Sequence, residues 1–152
     1  MDLIVVESPT KAKALRGFLG RDYRVLATMG HIRDLPPSEL GVDVACDFHP
    51  TYWYRRGGKK QALRIQEAAA QASAVYLATD PDREGEAIAW HVTEAIGPAL
   101  RGKDTHRITF HEITREAVRA AIRAPGSLDM DLVNAQQARR ILDRLVGYQV
   151  SP

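Results

Sequence analysis

Cysteine is almost absent from this chain of 152 residues, and long hydrophobic runs are missing. Cys46 is the single cysteine, so the sequence excludes an internal disulfide framework and fits a reducing compartment. Apolar runs such as Leu3 to Val6 and Ala87 to Trp90 are far shorter than the roughly 20 residues that a membrane-spanning helix needs. Since no basic and apolar leader opens the chain, we expect a cytoplasmic protein without a membrane partner.

Charge of one sign is not in excess either. The chain carries 21 Lys and Arg against 19 Asp and Glu, for a formal net charge of +2. Hydrophobic residues make up 45% and charged residues 26%, which is typical of a soluble globular domain and excludes a disordered chain. Of the 21 basic residues 16 are Arg, which suits two-pronged contacts to phosphate. A genome of high GC content would produce the same bias, so composition leaves both causes open.

Strand and helix patterns alternate along the chain. Short β-branched apolar runs are typical of strands that are buried on both faces. The pattern predicts strands over residues 3–6, 23–29, 75–78 and 106–110, and a short edge strand over 52–54. It predicts helices over residues 11–19, 60–72, 86–96, 114–123 and 132–148. This alternation predicts an α/β fold in which helices flank a mostly parallel sheet.

The last predicted helix stands apart from this alternation. It follows a break at residues 125–127 (PGS), and no strand comes after it. We therefore expect one domain over residues 1–125 and the truncated start of a second, helical domain over residues 126–152. The sequence ends without a polar tail, which is typical of a fragment boundary.

Acidic residues follow two of the predicted strands, where open parallel sheets bind their ligands. Glu7 follows the first strand, and Asp80, Asp82 and Glu84 follow the strand over residues 75–78. Oxygen ligands with no His or Cys nearby are those that Mg²⁺ prefers, and carboxylates this close repel unless a cation lies among them. The spacing therefore favours a metal site. The alternative is that the acids cap the following helix, with Asp82 as its N-cap.

Basic residues form two groups in the first half of the chain. Lys11 and Lys13 lie in the first turn of a predicted helix, where a bound anion would explain cations that oppose the helix dipole. Simple solvation is the alternative. Five basic residues are interleaved with three aromatic ones, a mixture that suits single-stranded nucleic acid but also a solvated loop. They are Arg55, Arg56, Lys59, Lys60 and Arg64, with Tyr52, Trp53 and Tyr54.

Polar side chains cluster on the last predicted helix. Arg139, Arg140, Asp143 and Arg144 lie close in angle or one turn apart. A carboxylate can orient an arginine toward phosphate, and a structural salt bridge is the alternative. A separate apolar stripe for packing is predicted from Val133, Ile141, Leu142, Leu145 and Val146. His31 lies just past a predicted strand end, in the same region as the acids if that strand is parallel.

Four segments together resemble bacterial DNA topoisomerase I, of the type IA family. They are residues 5–13 (VVESPTKAK), 30–36 (GHIRDLP), 78–86 (ATDPDREGE) and 134–140 (NAQQARR), the last continued by Asp143-Arg144 and Gly147-Tyr148. They occur in the family's order and cover essentially the whole chain. The resemblance implies a Toprim fold, a Rossmann-like sheet, over residues 1–125, followed by the entry to a domain that holds single-stranded DNA. It also implies relaxation of negatively supercoiled DNA through a transient 5′-phosphotyrosyl link, without ATP.

The resemblance also implies roles for individual residues. It makes Glu7 the general acid/base beside the scissile phosphate and also a metal ligand, and it makes Lys11 the group that stabilises the phosphate. Asp80, Asp82 and Glu84 complete the implied Mg²⁺ site. The positions implied to approach or contact DNA are His31, Arg139, Arg140, Asp143 and Tyr148.

The chain departs from the family pattern at the nucleophile. The family's tyrosine is followed closely by Arg-Thr-Asp, and none of the five tyrosines has that context. We therefore expect the chain to be inactive alone. We also expect a monomeric fragment whose partners are DNA and the remaining domains of the same enzyme, in the cytoplasm at the nucleoid. One alternative is a free-standing Toprim nuclease or Mg²⁺-dependent nucleic-acid-binding module. Another is a Rossmann-like binder of small anions, with the acids as caps.

Overall fold

The computed structural model describes residues 1–34, 42–43, 49–50, 53–55 and 57–150, without the side chains of residues 34, 42–43, 49–50, 53 and 147–150. The strands are β1 (Asp2–Val6), β2 (Tyr23–Ala27), β3 (Arg33–Asp34), β4 (Val42–Asp43), β5 (His49–Pro50), β6 (Trp53–Tyr54), β7 (Ala74–Leu77) and β8 (Asp104–Arg107). The helices are α1 (Pro9–Leu19), α2 (Gly58–Gln71), α3 (Arg83–Ile96), α4 (Arg115–Arg123) and α5 (Met130–Val150). Within the described ranges, no helix is long and apolar enough to cross a membrane.

Four of the strands form one parallel sheet in the order β2-β1-β7-β8. The central strand β1 places Val5 opposite Leu26 of β2 and Leu77 of β7. The short strands pair separately and antiparallel, β3 with β6 and β4 with β5. The predicted α/β architecture is therefore confirmed, including the helix at the end of the chain.

Both faces of the sheet are covered. Alternate residues of β1 point to opposite faces, and all from Leu3 to Val6 are buried. Leu3 and Val5 share one core cluster with Ile65 of α2 and Val92 of α3. On the other face, Ile4 and Val6 lie with core residues of α1 and α4, which are Ala12, Leu15, Leu19 and Val118. This double burial explains why β1 is apolar throughout.

Some element boundaries differ from the prediction. β2 ends at Ala27 because the chain turns there, with positive φ at Met29 and Gly30. The last strand of the sheet, predicted over residues 106–110, is β8 over residues 104–107, because the paired residues of β7 end at Leu77, which lies opposite Arg107. Helix α3 begins three residues earlier than predicted, since the Asp82 side chain caps it. The short edge strand is confirmed at residues 53–54, while Tyr52 lies outside the described residues.

The apolar stripe predicted for α5 is buried only in part. The helix packs on the domain that contains the sheet through its first turns. Val133 is fully buried. Leu142 and Val146, one turn apart further along the helix, are 60% and 52% exposed. The far half of α5 therefore exposes two side chains of the predicted apolar stripe.

Candidate active site

The candidate active site lies at the carboxyl ends of β1 and β7. These strands are neighbours and parallel, and their pairing continues where the Ala78 N–H donates to the Val5 carbonyl at 2.8 Å. Glu7 follows β1 directly, and Asp80 follows β7 after two residues. The topology therefore brings together two acids that are 73 residues apart in the sequence.

Lys11 joins these two acids. Its Nζ lies 2.9 Å from Oε1 of Glu7 and 3.2 Å from Oδ1 of Asp80. The second oxygen of Glu7, Oε2, accepts the backbone N–H of Asp80 at 2.8 Å. The ammonium also stands 5.1 Å from the centre of the Phe110 ring, a cation–π distance. Lys11 is buried, so its charge is held in one place between two carboxylates.

The start of α1 explains why Lys11 is so placed. Ser8 is the N-cap, and its side chain accepts the Lys11 N–H at 3.2 Å. Pro9 occupies the first helical position, where its missing N–H costs nothing. Glu7 precedes the cap, so the helical turn brings Lys11 back over it. Lys13, by contrast, is exposed.

Asp82 and Gly85 shape the loop that carries Asp80. Oδ1 of Asp82 accepts the Gly85 N–H at 2.7 Å, so Asp82 is the N-cap of α3, as the alternative interpretation of the acids expects. A Cβ on Gly85 would lie 1.8 Å from the Asp80 carbonyl oxygen, so only glycine allows this approach. Thr79 closes the loop by donating its hydroxyl to the Gly85 carbonyl at 2.6 Å.

Glu84 points to a different set of partners. Its Oε2 lies 2.6 Å from Nε2 of His31, and its Oε1 accepts the Gln136 amide of α5 at 3.2 Å. The hydrogen bond from His31 lowers the pKa of Glu84, with help from Gln136 and the charge of Arg140, against an opposing effect of burial. His31 is thus brought to the acidic region, as predicted, through contact with Glu84.

The loop that carries His31 is tied to β1. The Gly30 N–H donates to the Glu7 carbonyl at 2.9 Å, and the Thr28 hydroxyl donates to the Gly30 carbonyl at 2.6 Å. Gly30 has a φ of 87°, in the left-handed region that suits glycine. The backbone of Glu7 and the position of His31 are therefore fixed by one turn.

Arg107 is a residue of the site that sequence reasoning missed. Its side chain is buried at the end of β8 and donates to the Glu86 carboxylate at 2.6 Å. It also donates to the carbonyls of Leu77, Thr79 and Asp80 at 2.7 to 3.0 Å. One guanidinium thus holds the whole loop from β7 to Asp80. The sequence does carry one indication of this role, since Arg107 is the single arginine in a predicted strand that is otherwise expected to be buried.

Glu86 extends this network to the last helix. Its second oxygen, Oε2, accepts the backbone N–H of Asp129, just before α5 begins. The backbones of Arg107 and Gly126 also pair through two hydrogen bonds of 2.9 Å. The loop between β7 and α3 (residues 78–82), which we call the acidic loop, is therefore connected to the start of α5 through Arg107 and Glu86.

The other predicted DNA-contacting residues lie further along α5. Arg139 and Asp143 are exposed, and Arg140 is partly buried, with its charge reaching Glu84. The backbone of Tyr148 belongs to α5, but its side chain lies outside the described part. Of the basic and aromatic run, Tyr54, Arg55, Lys59, Lys60 and Arg64 are exposed, whereas Arg56 lies outside the described residues.

The fit to a metal ion rests on the donor chemistry. Glu7 and Asp80 offer oxygen atoms within 3.2 Å of one ammonium. The side chains of Asp80 and Glu84 are more than half exposed. Within the ranges given above, no group of three His, Cys, Asp or Glu side chains is placed to hold a metal together. Such exposed oxygen donors suit a hard divalent cation that keeps several of its waters.

Comparison with known proteins shows similarity to a domain family and to a solved structure. A family described as "Toprim domain" matches residues 2–113. Among solved structures, full-length topoisomerase I from Thermotoga maritima is similar, with a TM-score of 0.90 and 47% sequence identity. The match covers 99% of this chain and 25% of that one, so the chain spans about a quarter of the length of the Thermotoga maritima protein.

Proposed function

The chain belongs to the Toprim domain family and is homologous to topoisomerase I, and on this premise we propose that it supplies the acid–base and phosphate-stabilising groups of a type IA DNA topoisomerase. The observation that carries the proposal is the contact of Lys11 with both Glu7 and Asp80 at the carboxyl edge of the sheet. A cation held between two carboxylates suits phosphoryl transfer, which needs charge stabilisation and a proton carrier together.

The whole enzyme relaxes negatively supercoiled DNA in this proposal. A tyrosine attacks one strand and forms a 5′-phosphotyrosyl link, releasing a 3′-hydroxyl that later reseals the break. The tyrosine comes from another part of the enzyme, because no tyrosine of this sequence is followed by Arg-Thr-Asp. The chain alone is therefore expected to leave DNA uncut.

Glu7 and Lys11 have distinct roles. Glu7 carries the proton to and from the leaving oxygen, and two donors fix its orientation: the Lys11 ammonium and the Asp80 N–H. Lys11 faces a non-bridging phosphate oxygen with a charge that its two neighbours and the Phe110 ring hold in place. Asp80 positions both residues.

A divalent cation fits the same edge electrostatically. Glu7, Asp80, Asp82 and Glu84 outnumber the single ammonium of Lys11, so an incoming phosphodiester meets net negative charge. In this proposal Mg²⁺ would be held by Asp80 and Asp82, with Glu7 and Glu84 as further acidic ligands. When bound, Mg²⁺ neutralises charge on the phosphodiester and orients it.

DNA contacts extend from this edge along α5. His31 stands beside Glu84, and α5 carries Arg139, Arg140, Asp143 and Tyr148 beyond Gln136. The planar guanidinium group of arginine suits contacts to the sugar–phosphate backbone of a single strand. The proposed partners are thus negatively supercoiled or single-stranded DNA and the remaining domains of one monomeric enzyme, working at the nucleoid.

Two assays test this function. The purified chain, incubated with supercoiled plasmid and Mg²⁺, is expected to leave the plasmid unnicked; nicking or relaxation would show a free-standing nuclease or topoisomerase instead. In the complete enzyme, Lys11→Met and Glu7→Gln are expected to reduce relaxation at least tenfold. Lys13→Met and Glu67→Gln, at exposed positions, serve as matched controls and should relax DNA normally. Equal activity of all four variants would refute the assigned roles.

A further inference from the structure

A basic groove runs beside β2, the edge strand of the main sheet. It has a volume of about 530 Å³ and lies between α1 and α2, on the side of β2 away from β1. Four arginines line it, Arg16 and Arg21 near α1, Arg24 on β2 and Arg64 on α2, whereas none of the acidic residues that the structure describes does. We call this surface the β2 groove.

The floor of the β2 groove is closed to another strand. Exposed edge strands present free backbone groups that can pair with an added chain. Here Nη2 of Arg16 donates to the Val25 carbonyl at 2.7 Å, and the Gln61 side chain donates to the Ala27 carbonyl. Because these two outward carbonyls are taken, the β2 groove does not suit an extended peptide that adds to the sheet.

The charges of the β2 groove are not neutralised by the acidic residues that the structure describes. Arg21, Arg24 and Arg64 are exposed, and within the described part of the chain none of them forms a salt bridge. Asp22, next to Arg21, and Glu67, three residues from Arg64, are the nearest acids along the chain, and neither lines the groove. Four guanidinium groups around one concave surface therefore create a strong positive potential that favours an anionic ligand with several charges.

The β2 groove is separate from the candidate active site. The lining residues of the groove do not include Glu7, Lys11 or Asp80, and on β2 they run from Tyr23 to Leu26, which lie opposite Asp2 and Val5. At roughly 3.3 Å per residue, these two ends lie about 17 Å and about 7 Å from Glu7 along the strand direction. A DNA strand rises about 3.4 Å per nucleotide, so about two to five nucleotides span the distance.

We propose that the β2 groove binds the sugar–phosphate backbone of DNA, as a second contact beyond the catalytic edge. The proposal rests on the proposed function, which makes DNA the ligand of this chain. Planar guanidinium forks match phosphate oxygens, and a polymer of phosphates supplies repeated charges at a spacing that four arginines can share. The groove thereby holds DNA that flanks the strand at Glu7 and Lys11.

The test compares salt dependence of binding in two double variants of the full chain. The probe is a fluorescein-labelled oligothymidylate of about 30 nucleotides, titrated by anisotropy between about 25 and 200 mM KCl. Arg21→Gln/Arg24→Gln removes two groove charges and keeps Arg16, which holds the strand edge. Two lost phosphate contacts should reduce the slope of log K against log salt by about 1.4. The control, Arg101→Gln/Arg115→Gln, removes two exposed charges that do not line the groove and should leave the slope near that of the parent.

The possible outcomes separate a failure of the groove proposal from a failure of the proposed function. Equal slopes in the two double variants, with weaker binding by Arg139→Gln, would overturn the groove alone. No binding by the parent chain even at the lowest salt would also overturn the groove, whereas the proposed function is refuted by the relaxation assays on the complete enzyme. Polyglutamate that competes with the oligonucleotide as strongly per charge would show an acidic protein partner, and would also overturn the assignment to DNA. Circular dichroism spectra that match the parent's verify that each variant is folded.

Discussion

The guanidinium of Arg107 donates to the carboxylate of Glu86 at 2.6 Å, and the two side chains are only 3% and 5% exposed. A buried pair of this kind stabilises a fold mainly because the removal of one partner leaves the other charge uncompensated. Here the pair also holds the backbone that presents Asp80, through the Leu77, Thr79 and Asp80 carbonyls. Stability and site geometry therefore depend on the same contact.

Arg107→Ala is expected to lower the free energy of unfolding by about 3–5 kcal/mol, because it leaves the buried carboxylate of Glu86 without a partner. Urea denaturation followed by circular dichroism measures this loss. Arg101→Ala, at an exposed turn, is the matched control and should change the free energy by less than about 0.5 kcal/mol. A similar, small effect of both substitutions would contradict the role given to the buried pair.

Lys11→Met is expected to strengthen Mg²⁺ binding while it weakens catalysis. The substitution keeps an unbranched apolar stem near Phe110 but removes the ammonium between Glu7 and Asp80. With that competing cation gone, Mg²⁺ should bind at least about tenfold more tightly, since two unit charges about 4 Å apart interact by about 1 kcal/mol in bulk water and by about 4 kcal/mol at an effective dielectric constant near 20. Titration calorimetry or amide chemical shifts of Asp80 and Asp82 report the affinity. Lys13→Met should not alter it, and an unchanged affinity in Lys11→Met would argue against a metal at this edge.

The carboxyl group of Glu84 is expected to titrate below its ordinary pKa of 4.5, because His31 donates a hydrogen bond to the ionised form. A lowered pKa in the folded state stabilises the protein above the ordinary pKa, and that stabilisation is lost as the pH falls through the folded-state value. Carbon-detected NMR titration of Glu84 measures its midpoint. In His31→Phe the midpoint should move up toward 4.5, because the largest cause of the lowered pKa is removed. A Glu84 midpoint that ignores this substitution would contradict the assignment.

Gly85→Ala is expected to destabilise the chain by about 1–3 kcal/mol, because the new methyl group would overlap the Asp80 carbonyl. Gly17→Ala is the matched control on α1, where a Cβ meets no atom within 4 Å. That substitution should stabilise the chain by about 0.5–1 kcal/mol, since alanine loses less backbone entropy in a helix. Thermal unfolding of both variants checks the opposite signs. Two shifts of the same sign would contradict the close approach at Gly85.

The sheet was predictable because its strands carry an unambiguous signal. Residues 3–6 and 75–78 are apolar without alternation, as burial on both faces requires, and the structure places them side by side. The end of β8 was not predictable, because residues 108–110 (ITF) are as β-prone as the strand itself. The strand ends at Arg107 because the paired residues of β7 end at Leu77.

The sequence predicted that the acidic residues lie near one another, but it did not predict the individual contacts of each one. Strand-end spacing placed Glu7 and Asp80 at one edge, and they share Lys11. The same spacing did not separate Asp82, which caps α3, from Glu84, which contacts His31 and Gln136. Such partners depend on the direction of each side chain around a helical turn and on residues distant in sequence. The role of Arg107 depends on tertiary contacts that no local pattern records.

Glu84 and Glu86, on one turn of α3, contact α5 at Gln136 and at the Asp129 backbone just before it. A bend within residues 129–136 would break both contacts, so a hinge between the sheet and the far half of α5 falls outside these residues. Because Glu86 also accepts from Arg107, which donates to the Asp80 carbonyl, a displacement at the start of α5 would alter the position of Asp80.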